Sequence, residues 1–338
     1  MNGTTSEPCV HIGRALPAAL GGAPGASGSV WPPTLSVVIC TRDRPRALEA
    51  CIRSVAAQRT PPREVIVVDD GELSQADRRM LTDICESVGI PFVYLRKGPG
   101  QRRPCLPASR NLAVPHARGD IIQFLDDDVT MEPEFCGQIQ RLYADDPASL
   151  LLGTDGSLLE PSRTNLGARA FTVLFRAAGW WALRPRRRGL PLPACLRDSR
   201  RATPTLEIVG ATMAFRRSAL QHVPFDESLG DYALGEDRDM AYRLSRLGWI
   251  ARCHTARATH HLDSTHRPDP YRLGCMTVQN YCRIMSNNGL NRFGDRLVIA
   301  YSLLVIGLGL LCFSVIRPRR YLPRVAGMIA AAASLHRG

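Results

Sequence analysis

The order of local patterns along the chain constrains the fold more than any other feature. Four short β-rich runs occur in the first half of the chain, at 35–40 (LSVVIC), 64–70 (EVIVVDD), 91–96 (PFVYLR) and 120–125 (DIIQFL). Segments with apolar residues at helical spacing separate them, at 44–58, 74–88 and 107–117. Nearly continuous apolar strands joined by helices indicate a mostly parallel sheet with helices on both faces. The sequence therefore predicts an α/β fold.

Polar side chains follow three of these four strands. The stretch TRDRP (41–45) follows the first strand, Asp69 and Asp70 end the second, and Asp126 to Asp128 follow the fourth. In open α/β sheets, ligands bind beyond the carboxyl ends of the strands. We therefore expect these three polar ends to form one site.

The run of three aspartates indicates the chemistry of that site. Adjacent carboxylates repel one another, and partial burial strengthens the repulsion because the local dielectric falls. Mg²⁺ or Mn²⁺ prefers oxygen ligands and is often shared with substrate phosphates. The alternative is an acidic, solvated turn. The position after a buried strand, beside Asp69 and Asp70, favours a divalent metal site.

Composition excludes two classes of protein. The net charge of +12 is concentrated in two segments: residues 184–201 hold seven arginines and one aspartate, and 317–338 hold five arginines and no acid. The other residues are close to neutral together, so a basic nucleic-acid-binding face has no support, and no nucleic-acid partner is predicted. The eleven cysteines form no C-x-x-C pair, so zinc-ligand spacing is absent.

The two ends of the chain differ from the α/β part. Residues 1–33 are rich in Gly, Ala, Ser and Pro and are predicted to be a flexible leader. Residues 297–316 contain no charge and would form a helix about 30 Å long, which matches a bilayer core. Arginines flank this segment on both sides. It is predicted to be a transmembrane or membrane-embedded helix, with a buried core helix as the alternative, and 317–338 is predicted to be a basic tail.

Five motifs occur in an order that resembles the family 2 glycosyltransferases. They are SVVICTRDRP, EVIVVDDGE, GPGQRRPCLPASRNLAVPHARGDIIQFLDDD, IVGATMAFRR and GEDRDMAYRLSRLGW, and the resemblance covers about residues 34–265. These are nucleotide-sugar enzymes of the GT-A fold. The resemblance implies a Rossmann-like, mostly parallel sheet. It also implies a nucleotide-sugar-binding half at 34–128 and an acceptor-binding half at 129–293.

In the first half, the resemblance implies the donor contacts. Asp70, with Asp69 beside it, would hydrogen-bond the nucleotide base, and the arginine and asparagine of the RN pair would lie beside the nucleotide. Asp127 or Asp126 would face the ribose. The predicted nucleotide-sugar-binding residues are Thr41, Arg42, Asp69, Asp70, Arg110, Asn111, Asp126 and Asp127.

The resemblance also implies a metal centre and a catalytic pair. Asp128 is the main predicted metal ligand, joined by Asp126 and by a histidine, His260 before His261. Glu236 and Asp237 match the acidic pair of the acceptor half, in which the aspartate acts as general base. The alternative for this pair is an acidic helix N-terminus that the helix dipole stabilises.

The chain departs from the family pattern in two places. It has GAT at 210–212 where Gly-Gly or Gly-Asn is common, and its diphosphate region carries extra arginines, Arg102 and Arg103. The arginine-rich loop at 184–201 is either solvated or a contact for an anionic lipid or diphosphate acceptor. Neither departure removes a catalytic residue.

The expected function is inverting, metal-dependent sugar transfer from a nucleotide-diphosphate donor to a hydroxyl on a glycan or lipid-linked acceptor. The expected location is the cell membrane, with the catalytic domain on the cytoplasmic side. Arginines after the apolar segment place the tail on that side as well, so a re-entrant or interface-lying helix is expected.

Two alternatives remain open. One is a nucleotidylyltransferase of related fold, although that class usually has a glycine-rich loop where this chain has TRDRP. The other is a non-catalytic, membrane-tethered nucleotide-sugar binder.

Overall fold

The computed structural model describes residues 32–97, 105–159, 190–230, 232–262, 268–290 and 292–335. Most of the predicted leader therefore lies outside the described residues. So do Arg102, Arg103 and the part of the arginine-rich loop before residue 190.

The first half of the chain alternates strands and helices as the sequence predicts. Its elements are β1 (Leu35–Thr41), α1 (Pro45–Ala56), β2 (Glu64–Asp69), α2 (Gln75–Glu86), β3 (Phe92–Arg96), α3 (Leu106–Ala113) and β4 (Ile121–Asp126). Strand β1 pairs in parallel with β2 and β4, and β3 pairs in parallel with β2. The carboxyl ends of these four strands therefore meet at one edge of the sheet.

The second half extends the same sheet with mixed pairing. Its strands and helices are β5 (Val129–Met131), α4 (Phe135–Ala144), β6 (Leu151–Leu159), β7 (Ala202–Pro204), β8 (Met213–Arg216), α5 (Arg217–His222), α6 (Glu236–Ser245) and β9 (Trp249–His260). The strand order is β3-β2-β1-β4-β8-β6-β9-β5, and β7 also pairs with β9. Strand β8 is antiparallel to β4 and β6. The two predicted halves are thus parts of one nine-stranded sheet.

Apolar layers cover both faces of the sheet. Val37 and Ile39 of β1 point into one core cluster, whereas Val38 between them points into the other. Side chains alternate between faces along a strand, so an apolar run without polar interruptions requires a core on each side. Burying each such side chain contributes about 1.5–3 kcal/mol. The strands are therefore held firmly, and so are the polar residues at their ends.

Three helices follow the sheet: α7 (Pro270–Asn287), α8 (Phe293–Ser314) and α9 (Pro318–Leu335). Helix α8 contains most of the predicted 297–316 segment but begins four residues earlier and ends two residues earlier. Among the described residues it is the one helix long and apolar enough to cross a membrane, and 22% of its most apolar window is buried. The segment predicted as a basic tail is helical over most of its length, as α9.

Candidate active site

A cluster of possible metal ligands lies where β4 and β9 end. One ligand atom from each of Asp126, Asp128 and His260 lies within 4.8 Å of the others. The pairing of β5 with β9 sets Val129 opposite His260, which brings the histidine to the aspartate run. His260 Nε2 lies 3.1 Å from Asp128 Oδ1. Two residues more than 130 positions apart in sequence thus meet at the sheet edge.

The charges in this cluster are only partly balanced. Burial raises the pKa of Asp126, and the neighbouring carboxylate of Asp128 raises it further, whereas Arg110 and His260 lower it. Arg110 Nη2 approaches Asp126 Oδ1 only to 3.4 Å. Two carboxylates and one imidazole form an oxygen-rich ligand set that suits Mg²⁺ or Mn²⁺. The residues present therefore fit a divalent cation.

The middle aspartate of the run points away from this cluster. Asp127 accepts hydrogen bonds from Thr41 Oγ1 at 2.7 Å and from Arg44 Nη1 at 3.0 Å. Burial raises its pKa to about 6, against the lowering effect of these two partners. Its carboxylate thus ties the β4 end to the β1 end. A ribose contact by Asp127 or Asp126 stays a prediction.

Asp69, at the end of β2, holds the loop that follows. Its carboxylate accepts hydrogen bonds from the backbone N–H groups of Gly71 and Leu73, at 2.8 and 2.9 Å, and from the Tyr94 hydroxyl at 2.6 Å. The side chain is buried. These three contacts give Asp69 a structural role, and its predicted base contact stays a prediction.

Asp70, the next residue, lies in a polar pocket. Lys97 Nζ is 2.7 Å from Asp70 Oδ1, and Ser109 Oγ donates to Asp70 Oδ2 at 2.7 Å. The backbone N–H of Asp70 donates to Thr41 O at 2.9 Å. Asp70 therefore lies beside Thr41 at the end of β1, and the two residues are predicted to line the pocket for the nucleotide base.

The loops that follow β1 and β2 are in close contact beside Asp70. A Cβ added to Gly71 would lie 2.2 Å from Asp43 Oδ1, so only glycine fits there. Asp43 itself has a positive φ of 52° and accepts a hydrogen bond from Glu72 N–H at 3.0 Å. Arg42, predicted to line the pocket, has a side chain 46% exposed, with its Nε 4.0 Å from Asp43 Oδ2.

Arg110, a predicted nucleotide contact, is buried among protein groups. It is 2% exposed, and its guanidinium lies 5.7 and 5.6 Å from the ring centroids of Phe124 and Phe225. It makes a short contact with Glu236 Oε1 and donates to Gly210 O at 3.3 Å. Arg110 thus lies beneath the site and joins the β4 end to the acceptor half.

Asn111 also contacts protein groups. Its side-chain amide donates to Phe225 O at 3.0 Å and to Glu227 Oε1 at 2.8 Å, and its oxygen accepts from Phe225 N–H at 2.8 Å. These contacts hold the loop whose aromatic ring packs on Arg110. The nucleotide contact of Asn111 stays a prediction.

The predicted catalytic pair begins helix α6. Gly235, just before it, has a φ of 93°, which favours glycine. Glu236 is buried beside Arg110, and its Oε2 has no hydrogen-bond partner among the residues that the structure describes. Asp237 is half-buried, and its Oδ2 accepts from Gly210 N–H at 3.2 Å. Of the two acids, Asp237 is therefore the more accessible to an acceptor.

Two contributors were missed in the sequence: Tyr94 and Lys97. Tyr94 and Lys97 lie on β3 and just after its end, beside the end of β2. The predicted site did not include the carboxyl end of β3, although ligands bind beyond the carboxyl ends of such strands. Arg44 belongs to the TRDRP stretch after β1, and its partner Asp127 is 83 residues away.

Comparison with known proteins gives the family. The model of glycosyl transferase family 2 matches residues 36–223, more than half of the chain. An N-acetylglucosaminyltransferase from Mesorhizobium japonicum is 30% identical over 132 residues, which are 38% of this chain and 29% of that protein. A glucosyl-dolichyl phosphate glucuronosyltransferase from Haloferax volcanii is 29% identical over 122 residues, 35% and 37% of the two chains. The matched regions span about a third of these relatives.

Solved structures share the fold. A mannosyltransferase from Pyrobaculum calidifontis in complex with GDP-Man and Mn²⁺ superposes with a TM-score of 0.55 at 14% identity, covering 89% of this chain and 86% of that one. GalNAc-T7 with UDP, GalNAc and Mn²⁺ gives 0.53 at 15% identity, covering 75% and 48%. These likenesses confirm the predicted GT-A-type fold. With the match of the family model, they lead to one conclusion: the chain belongs to glycosyl transferase family 2.

Proposed function

We propose that this protein transfers a sugar from a nucleotide-diphosphate donor to an acceptor hydroxyl and requires a divalent cation. The observation that carries the proposal is the cluster of Asp126, Asp128 and His260 at the carboxyl edge of the sheet. Mn²⁺ accompanies a nucleotide or nucleotide sugar in both structural neighbours. When bound, the cation would neutralise charge on the departing diphosphate.

The donor would bind along the ends of β1, β2 and β4. Asp70 is the candidate for the nucleotide base, because its backbone N–H bonds to Thr41 O at the end of β1. Asp126, whose side chain is 36% exposed, is the candidate for the ribose as well as for the cation. Arg42 is exposed at the rim of the same pocket.

Asp237 is the proposed general base. Its Oδ2 is fixed by the N–H of Gly210. It would take the proton of the acceptor hydroxyl as that oxygen attacks the anomeric carbon and the bond to the diphosphate breaks. The products are the glycoside, with inverted configuration, and a nucleoside diphosphate.

Arg110 is proposed as a positioning residue. It contacts Glu236, approaches Asp126 and donates to Gly210 O, whose own N–H holds Asp237. One buried cation thus links a proposed metal ligand to the helix that carries the proposed base. A network of this kind can hold both halves of a site in register.

The proposed location is the cytoplasmic side of the cell membrane. Helix α8 supplies the apolar segment. The ten cysteines within the described ranges are all free, as expected in a reducing compartment. The proposed acceptor is a hydroxyl of a glycan or of a lipid-linked molecule.

A donor screen with purified full-length protein in detergent tests the proposed function. Nucleotide sugars of several bases would be incubated with Mn²⁺ or Mg²⁺, and nucleoside diphosphate would be measured by chromatography. We expect turnover of at least one donor that EDTA stops and added Mn²⁺ restores. Donor binding without any turnover would instead support a non-catalytic binder, and pyrophosphate release from a nucleoside triphosphate would support a nucleotidylyltransferase.

A further inference from the structure

Helix α8 presents a continuous apolar stripe to the outside of the molecule. Its exposed side chains recur every three or four residues, at Leu297, Tyr301, Leu304, Leu308, Leu311 and Val315. The helix has 22 residues and is therefore about 33 Å long. A contiguous apolar face of this size on a protein surface indicates a binding partner.

The opposite side of α8 packs against protein. Ile306 and Leu310 are buried in one cluster with Val278 of α7 and with Val325 and Met328 of α9. Near its start, α8 contributes Ile299 and Leu303 to a second cluster with residues of α6 and α7. Helix α8 is thus attached through its middle part, from Ile299 to Leu310.

Helix α7 is in turn attached to the catalytic part of the chain by polar contacts. The Asn280 amide donates to Leu229 O and Leu234 O, each at 3.1 Å. Asn287 donates to Asp226 at 2.7 Å, and Asn288, just after the helix, donates to Asp239 at 2.9 Å.

Helix α9 lies directly on α7. A Cβ added to Gly274 would come within 1.9 Å of Arg324 O, and one added to Gly327 would come within 2.0 Å of Tyr271 O. The two backbones touch at these glycines, and Cys275 Sγ lies 3.3 Å from Gly327 O. The three helices therefore form one packed unit with the sheet domain.

Exposed arginines stand at both ends of the apolar stripe. Arg292 and Arg296 are exposed near the start of α8, and Arg317, Arg319 and Arg320 are exposed where α8 passes into α9. No acidic residue occurs between residue 296 and the end of the chain. An apolar face with a basic group at each end is complementary to an anionic bilayer surface, whose phosphates would meet the arginines.

We propose that α8 lies flat in the headgroup region of an anionic bilayer, with its stripe toward the lipid, instead of crossing the membrane. If α8 crossed, the packed α7 would enter the hydrocarbon with it. Arg283 and Asn287, which are exposed on α7, would then lose water, at a high cost in free energy. In the flat orientation these groups stay on the aqueous side while the stripe is buried.

This orientation brings the proposed acceptor side of the site close to the lipid. Ile284 of α7 would lie 3.1 Å from a Cβ at Gly235, the residue just before Glu236. The helix that carries the stripe and the helix that carries the proposed base therefore contact the same element, α7. This consequence rests on the proposed function, whereas the orientation of α8 does not.

Depth measurement by spin labelling tests the orientation directly and needs no activity. The full-length protein would carry a nitroxide on p-acetylphenylalanine at position 297, 304 or 311, in vesicles of phosphatidylcholine and phosphatidylglycerol at 3:1. Position 88 is the matched control, because Val88 is exposed on the α2–β3 turn. The readout is relative accessibility to oxygen and to a water-soluble nickel chelate.

The flat orientation predicts similar depths at all three stripe positions, about 5–10 Å below the headgroup boundary. A spanning helix would overturn it, because positions seven residues apart would then differ in depth by about 10 Å. Low oxygen accessibility with dipolar broadening between labels would also overturn it, in favour of a second copy of the chain on the stripe. The control position should stay in water.

The role of the arginines has its own test, vesicle co-sedimentation. Replacing Arg319 and Arg320 together by Gln should weaken binding to the anionic vesicles by about 25-fold, since each basic group near such a surface contributes about fivefold. Arg79→Gln on α2 is the matched control and should bind like wild type. Equal binding of the double variant, or equal binding of the wild type to pure phosphatidylcholine, would contradict the anionic-surface assignment.

Discussion

The ends of β2 and β4 both carry aspartates, but the carboxylates have different partners at the two ends. At the β2 end, Asp69 accepts two backbone N–H groups and a tyrosine hydroxyl, and Asp70 pairs with Lys97. At the β4 end, Asp126 and Asp128 face one another, with His260 as the third member.

The difference separates carboxylates that hold the loops of the site from carboxylates that we propose bind a cation. A buried carboxylate is costly unless charges or hydrogen bonds compensate it. Protein groups give that compensation at the β2 end. At the β4 end, Thr41 and Arg44 compensate Asp127, whereas the carboxylates of Asp126 and Asp128 lie close to one another. The remaining charge of the pair on either side of it is what a divalent cation would balance.

The largest expected effect concerns a carboxylate that belongs to neither strand end. Asp237→Asn keeps the shape of the side chain and removes its basicity. Transfer should fall by about 10²- to 10⁴-fold, while donor and metal affinity stay close to wild type, because their proposed ligands lie elsewhere. Transfer kinetics and calorimetry check both halves of this prediction. Near-normal transfer would make Glu236 the next candidate for the base.

The second prediction concerns the removal of the Arg110 cation, which neutralises buried Glu236 beneath the β4 end. Arg110→Met leaves Glu236 buried without its cation and should lower the free energy of unfolding by about 3–5 kcal/mol. Arg110→Lys keeps the charge and should recover part of this loss. Denaturant unfolding in detergent measures both variants, and kcat against KM shows whether the lysine variant positions the base. Equal stability of all three proteins would contradict the proposed link.

Asp155, a buried carboxylate on β6, shows how burial alone changes the free energy of unfolding with pH. Burial raises the pKa of Asp155 to about 6, although its hydrogen bonds with Arg252 lower it. The ordinary value is 3.8, so the folded state holds the proton more tightly between these pH values. The free energy of unfolding should therefore fall as pH rises from about 4 to about 6, by up to about 3 kcal/mol from this group. Asp155→Asn should remove this component, and identical pH slopes in both proteins would contradict it.

The smallest effect concerns the β2 end. Asp70→Asn should weaken nucleoside diphosphate binding by about tenfold, the scale of one charged hydrogen bond. Glu72→Gln in the same loop is the matched control, because its side chain is 81% exposed. Calorimetric titration in the presence of Mn²⁺ compares the two. If both variants bind like wild type, Asp70 serves only to hold Lys97 and Ser109.

Local signals were sufficient to predict the first half of the fold. The apolar runs of β1, β2 and β4 need cover on both faces, and Ser74 caps α2 by accepting from Asp77 N–H. The order of these elements then brings the strand ends together. The pairing of β8 with β4 and of β9 with β6 depends on contacts between residues far apart in sequence, which no local pattern records.

The same limit applies to the site. The sequence identified Asp126, Asp128 and His260 as candidates, and the structure brings them together. It did not reveal that Arg110 and Asn111 turn inward, because their partners Phe225 and Glu236 are more than 110 residues away. Nor does hydropathy alone distinguish a helix that crosses a membrane from one that lies on its surface, as we propose for α8.

Direct measurement of Mn²⁺ binding tests the difference between the two strand ends most sharply. The wild type, Asp128→Asn and Asp70→Asn would be titrated with Mn²⁺ by electron paramagnetic resonance, with the nucleoside diphosphate of the preferred donor present. We expect one bound Mn²⁺ per wild-type chain, at least about 100-fold weaker binding in Asp128→Asn, and nearly unchanged binding in Asp70→Asn. Wild-type-like binding by a folded Asp128→Asn protein would contradict the assignment of the cation to the β4 end.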